Sequence, residues 1–109
     1  GSEGLIKGVL GADMSIEDGM LAARQCAINL LAQVKAACDG NLDRLLRVIK
    51  LGGFVNSKPN FSEQPNVING ASDFLVDLLG DRGRHARTAV GAILPLGVAV
   101  EIDGIFLIK

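Results

Sequence analysis

Apolar residues recur at helical spacing in two segments of the chain. In residues 16–38 they occupy every third or fourth position, at Met20, Ala23, Ala27, Leu30, Leu31, Val34 and Ala37. Ser15 precedes this segment as an N-cap, and Glu17 and Asp18 follow in the first turn, where the helix dipole favours negative charge. The pattern therefore predicts a long amphipathic helix over residues 16–38.

A second helical pattern runs from about residue 63 to residue 79. Its apolar positions are Val67, Ile68, Ala71, Phe74, Leu75, Leu78 and Leu79. Pro65 fits only near the start of a helix, and Gly80 is a typical residue after its end. The two patterns together predict a pair of helices separated by a stretch of strand and loop.

Three other apolar segments predict strands, over residues 47–56, 88–93 and 98–107. Residues 94–97, Leu-Pro-Leu-Gly, form a turn that makes the last two strands a hairpin. Residues 4–11 resemble the end of a further strand or hairpin. The order (β)-α-β-α-β-β predicts an α+β fold, in which two helices pack on one face of a mixed sheet.

Length and composition fit one small domain over residues 1–109, of which Gly1-Ser2 is typical of an expression remnant. Hydrophobic residues make up 49% of the chain and the mean hydropathy is +0.35, with four Phe and no Trp or Tyr. Such small aliphatic side chains suit close helix-on-sheet packing. They also predict apolar surface that becomes buried between subunits.

Charge and cysteine content exclude several classes of function. The net charge is −1, with no basic stripe for nucleic acid, no apolar run long enough to span a membrane and no signal peptide. Cys26 and Cys38 would lie roughly 18 Å apart along one helix, which is too far for a disulfide. We expect a cytoplasmic protein whose cysteines are small buried hydrophobic residues.

No metal or cofactor motif is present, since the chain has no CxxC, HExxH, phosphate loop or dinucleotide fingerprint. The chain has one histidine, so any Ser/His or Cys/His nucleophile pair would have to use His85. His85 lies in residues 83–91, GRHARTAVG, where we expect Gly83, Arg84 and His85 to form a turn with a solvated flank. Arg87 begins an apolar strand, so its guanidinium either extends to solvent or binds a carboxylate.

Three further polar residues are candidates for a site. Glu101 interrupts an apolar strand, and it either faces solvent or is held for acid–base chemistry. Asp103, two residues on, is expected on the same face of the sheet. Asn69, in the second helix, either binds a ligand or points outward.

Residues 67–105, VINGASDFLVDLLGDRGRHARTAVGAILPLGVAVEIDGI, resemble the C-terminal half of the Rid family (RidA/YjgF, also called endoribonuclease L-PSP). The shared pattern is a helix Asn, an Ala-Arg-Thr step onto a strand, a Leu-Pro turn and a Val-Glu-Ile strand. Residues 17–37 and 42–57 look like the first helix and the central strand of the family. The branch with GRHAR[ST]AVG and LPLGVAVE motifs is the most similar.

The resemblance implies a chorismate-mutase-like (YjgF-like) fold and a homotrimer with ligand clefts between subunits. It also implies a cofactor-free hydrolase that deaminates 2-imino and 2-enamino acids to 2-oxo acids and ammonia. By position, Arg87 matches the arginine that binds the substrate carboxylate, Glu101 the acid that activates water, and Asn69 an asparagine at the cleft. The alternatives are a non-catalytic trimer that binds small carboxylate metabolites and, ranked last because of the charge balance, an endoribonuclease.

The sequence departs from the family pattern in three ways. The opening hairpin with its tyrosine is missing, and the chain contains no tyrosine. Ala89 stands where the family often has cysteine. The segment RTAVGAILP is one residue shorter than the family pattern, so pairing of Arg87 with Glu101 across the predicted hairpin would require a bulge.

Overall fold

The computed structural model describes residues 6–109, so Gly1-Ser2 and the first two residues of the predicted opening strand lie outside the described residues. Within that range the elements alternate much as the sequence predicts. They are α1 (Ile16–Ala37), β1 (Leu45–Asn56), α2 (Gln64–Leu79), β2 (Ala86–Ala92) and β3 (Val100–Ile108), with short 3-10 turns at Leu42–Arg44, Gly80–Gly83 and Pro95–Gly97. Ser15 caps α1, and its hydroxyl accepts a bond from the Asp18 backbone N–H.

The three strands form a mixed sheet in the order β2-β1-β3, with β1 parallel to β2 and antiparallel to β3. The predicted hairpin between the last two strands is therefore wrong, because β1 lies between them. The physical reason is burial. Leu45, Val48, Leu51 and Val55 of β1 are fully buried, so this strand takes the centre of the sheet.

Both helices cover one face of the sheet, as predicted, and the fold is α+β. The core between the two layers is aliphatic, and its largest fully buried side chains are Leu10, Leu45, Leu51, Ile68, Leu75, Val48, Val55 and Val67. The helices approach each other closely at Gly70, where an added Cβ would lie 2.0 Å from the Met20 carbonyl oxygen. Leu78, which the periodicity assigns to the core, is exposed.

The other face of the sheet carries apolar side chains that nothing among residues 6–109 covers. Val90 of β2 and Ile105 and Leu107 of β3 are about half exposed. This is the arrangement that the composition predicts for a protein that buries surface between subunits. The homotrimer itself stays a prediction.

The opening segment is extended but forms only isolated pairings in the described residues. Lys7 bridges Val98, and Leu10 bridges Ser57. This chain stretch thus runs past the ends of β1 and β3 rather than extending the sheet. None of the described helices is long and apolar enough to cross a membrane.

Candidate functional site

Arg87 lies near the start of β2 and points toward α2. Its neighbour two residues on, Ala89, packs against the core, so the two side chains share the helix-covered face. The Arg87 guanidinium is half-buried there. Nη1 donates to the Ser72 hydroxyl at 3.1 Å, and Nη2 donates to the Pro65 carbonyl at 3.3 Å. The side chain is therefore held against the helix rather than extended into solvent.

Asn69 lies on the same face of α2 as the two groups that hold Arg87. Pro65 comes four residues before it and Ser72 three residues after it, which places all three on one helix face. The Asn69 side-chain amide is half-buried and donates weakly to Asn66 at 3.5 Å. The fold thus brings the Arg87 guanidinium to the turn of α2 that carries Asn69.

His85 is not part of a solvated flank, which corrects the sequence-based expectation. Its ring is half-buried, with Nε2 2.9 Å from the Ser72 hydroxyl and Nδ1 bonded to the Gly83 carbonyl. Gly83 is itself buried, because the 3-10 turn packs directly on the backbone of α2. Arg84 is exposed beside Asp81 as expected, with 3.6 Å between Nε and Oδ1.

Sequence reasoning did not identify Ser72. The one available signal was its position, since it follows Asn69 by three residues and so shares a helix face with it. Its partners in space are 13 and 15 residues away along the chain. These contacts of Ser72 depend on how β2 packs on α2, and the periodicity of apolar residues does not predict that packing.

Arg87 differs electrostatically from the arginines that form ion pairs in the described part of the chain. Arg44 pairs with Asp39, while Arg47 and Arg84 both pair with Asp81. The partners of Arg87 are an uncharged hydroxyl and a backbone carbonyl. Its positive charge is therefore not neutralised by a carboxylate among residues 6–109. A half-buried guanidinium that no carboxylate neutralises is able to bind an anion.

Glu101 lies on the other edge strand and on the other face of the sheet. It pairs with Phe54, whereas Arg87 pairs with Leu51 on the helix-covered face. Two strand spacings and three residues of offset separate the two Cα atoms by about 14 Å. The fold therefore does not bring Glu101 and Arg87 together within one protomer. The strand β2 keeps a continuous register with β1, and no bulge alters the facing of Arg87.

Asp103 shares the open face of the sheet with Glu101, as the alternation predicts. Its carboxylate occupies the space that the missing side chain of Gly52 leaves, because a Cβ there would lie 2.3 Å from Oδ1. Both carboxylates are exposed. Of the two alternatives that the sequence allows, solvent exposure and acid–base chemistry, their positions within one protomer agree with solvent exposure.

A groove with a cavity volume of about 510 Å³ runs between α1 and the start of β3. One wall carries the carboxamides of Gln25, Asn29 and Gln33, and Glu101 lies at its rim. Cys26 also lines it, and burial raises the pKa of this thiol, with a further increase from the nearby Glu101 carboxylate. The neutral thiol is thus favoured, which suits the expected role of a small apolar residue. Cys38 is fully buried.

Among residues 6–109, no group of three His, Cys, Asp or Glu side chains is arranged to hold a metal ion. The groups that surround Arg87 are a hydroxyl, an imidazole, carbonyls and a carboxamide. Such groups can bind a polar organic ligand through hydrogen bonds rather than a metal ion.

Comparison with solved structures finds similar folds, among them two crystal structures. That of Atu1372, a protein "with unknown function" from Agrobacterium tumefaciens, matches with a TM-score of 0.94 and 51% identity over 95% of this chain and 68% of its own. That of "a putative endoribonuclease" from Shewanella oneidensis matches with a TM-score of 0.85 and 35% identity over 90% of this chain and 65% of its own.

Comparison with known sequences gives a relative and a family. Protein TCP17 of Trypanosoma cruzi is 51% identical over 104 residues, which are 94% of this chain and 64% of that protein. The chain therefore spans just under two thirds of the length of this relative. The family model described as "YjgF/chorismate_mutase-like, putative endoribonuclease" matches residues 2–102. With a match over nearly its whole length, the chain belongs to the YjgF/chorismate-mutase-like family.

Proposed function

We propose that this protein binds a small 2-imino or 2-enamino acid through Arg87 and hydrolyses it to the 2-oxo acid and ammonia. The observation that carries the proposal is the state of Arg87. Its guanidinium is half-buried, fixed by two neutral oxygens on α2, and not paired with a carboxylate among residues 6–109. Within the described residues two of its five N–H groups are engaged, which leaves three to bind a carboxylate.

The hydrolysis of an imine requires little from the protein except substrate binding and proton transfer. Water adds to the electrophilic carbon of the C=N bond, and the carbinolamine then expels ammonia as the carbonyl forms. Arg87 holds the carboxylate of the substrate, and the Asn69 carboxamide is in place to accept or donate a hydrogen bond at the same turn of α2. Orientation of this kind lowers the barrier by removing the freedom of the bound reactant.

The position of Glu101 supports a site built from more than one subunit. Within one protomer it lies about 14 Å from Arg87 between Cα atoms, on the opposite face of the sheet. In the homotrimer that we propose, the cleft lies between subunits, and the partner subunit's Glu101 orients the attacking water. The exposed apolar side chains of the open sheet face supply surface for that assembly.

The test is ammonia release from 2-aminoacrylate that a second enzyme generates in the assay. We expect release above the rate of spontaneous hydrolysis, a loss of at least tenfold in R87A, and a loss in kcat for E101Q. Arg84 provides the matched control, because it is exposed and lies only three residues away; R84A should retain the rate of the unsubstituted protein. Release no faster than the spontaneous rate would refute the deaminase.

A non-catalytic trimer that binds small carboxylates is the second candidate. The observation in its favour is that no carboxylate among residues 6–109 forms an ion pair with Arg87, which leaves an anion-binding group with no carboxylate base in contact with it. Stabilisation by 2-oxo acids that R87A abolishes, without turnover, would support this reading. Endoribonuclease activity, which the descriptions of the family and of the Shewanella oneidensis protein mention, ranks third because the chain has a net charge of −1.

A further inference from the structure

Arg87, Ser72 and His85 form one hydrogen-bonded chain whose direction is fixed at both ends. Arg87 can only donate, so the Ser72 hydroxyl oxygen accepts from Nη1 at 3.1 Å. The Gly83 carbonyl can only accept, so Nδ1 of His85 carries the proton in that contact. In the neutral ring Nε2 is then an acceptor, and the Ser72 hydroxyl donates to it at 2.9 Å.

The Gly83 end of this hydrogen-bonded chain is fixed, because the backbone there is closely packed. Gly83 is buried against α2, and an added Cβ there would lie 2.3 Å from the Leu75 carbonyl oxygen. His85 therefore connects a packed turn to the Ser72 hydroxyl. The Pro65 carbonyl provides a second fixed point, at 3.3 Å from Nη2 of Arg87.

We propose that Ser72 and His85 are positioning residues that orient the Arg87 guanidinium for a planar carboxylate ligand. The proposal rests on the proposed function, in which Arg87 binds the substrate. A long arginine side chain loses conformational freedom when it binds a ligand, and a guanidinium that is already fixed loses less. The two groups that contact Arg87, the Ser72 hydroxyl and the Pro65 carbonyl, are uncharged, so they orient the guanidinium without cancelling the charge that attracts the carboxylate.

The kinetic test compares S72A and S72T, which respectively remove and keep the hydroxyl, with H85F and H85Q. Positioning acts on binding, so we expect S72A and H85F to raise KM for 2-aminoacrylate about tenfold with little change in kcat. S72T should recover most of this loss, and H85Q, which can still accept a bond from Ser72, should fall between. The dissociation constant for pyruvate should change in parallel. Thermal unfolding of each variant separates these effects from loss of the fold.

A KM and a pyruvate affinity that S72A leaves unchanged would overturn the positioning role. So would a fall in kcat at constant KM.

A second measurement does not depend on turnover. Nitrogen NMR of the His85 ring should show the Nδ1–H tautomer, with Nε2 as a hydrogen-bond acceptor whose signal moves in both S72A and R87A. An Nε2–H tautomer, or no response to R87A, would overturn the proposed hydrogen-bonded chain whatever the activity. If the unsubstituted protein neither turns over 2-aminoacrylate nor binds pyruvate, the proposed function is wrong. Ser72 and His85 then have no role in orienting Arg87 for a carboxylate.

Discussion

Arg87 and Glu101 leave the sheet on opposite faces and from opposite edge strands. Arg87 pairs with Leu51 of the central strand, and Glu101 pairs with Phe54. The two residues that the family resemblance assigns to one cleft are thus separated within a protomer. Under the proposed function, in which both residues act in one cleft, the site has to be shared between subunits.

A shared site predicts complementation between two inactive variants. R87A and E101Q should each lose deaminase activity, since each lacks one of the two groups. Mixed trimers refolded from both should regain part of it, because some interfaces then combine an intact Arg87 with an intact Glu101. The measurement is ammonia release from the mixture against each variant alone. If the mixture is no more active than its components, the site is not shared between subunits. Either both groups then act within one protomer, or one of them takes no part in the reaction.

The contact between the two helices predicts that G70A destabilises the protein. Alanine normally stabilises a helix interior relative to glycine by about 0.5–1 kcal/mol. Here its Cβ would lie 2.0 Å from the Met20 carbonyl oxygen, and overpacking of this kind costs roughly 1–3 kcal/mol. The sign of the change in free energy of unfolding in urea therefore tests the packing.

G40A is the matched control for that measurement. Gly40 has a φ of 84° and open space around its Cβ position, so G40A adds backbone strain of about 1–2 kcal/mol but no steric clash. Stabilisation by G70A would contradict the close approach of α1 and α2.

The environment of Cys26 predicts a slow reaction with thiol reagents. Burial raises the pKa of this thiol and Glu101 raises it further, so the reactive thiolate forms only at higher pH than for an exposed cysteine. Alkylation by iodoacetamide, followed by mass spectrometry, should show little modification at neutral pH and an increase in alkaline buffer. E101Q removes one of the two causes and should shift that increase toward lower pH. An identical pH profile in E101Q would contradict the proximity of the two groups.

The elements were predictable from the sequence because their signals are local. The Ser15 cap, the apolar spacing of both helices and the alternation that places Glu101 and Asp103 on one face all appear in the structure. The strand order was not predictable in this way. The hairpin expected at residues 94–97 does not form, because the burial of β1 places it between the other two strands.

The site was predictable only in part. The short strand segment around Arg87 and the resemblance to a known family singled out Arg87 and Asn69, and the fold brings them to the same turn of α2. The sequence did not predict the hydrogen-bonded chain through Ser72 and His85. This chain joins residues of different elements, and the periodicity of apolar residues does not indicate how those elements pack together. His85 looked like a solvated residue since its neighbours Gly83 and Arg84 suggest a turn.

Recognition of a carboxylate by Arg87 is tested most directly by calorimetric titration of pyruvate and its neutral amide, pyruvamide. The two ligands differ only in the group that Arg87 is proposed to bind. We predict that the unsubstituted protein binds pyruvate at least tenfold more tightly than pyruvamide, and that R87A loses this preference while R84A keeps it. Equal affinity for the two ligands, or a preference that survives in R87A, would contradict the account.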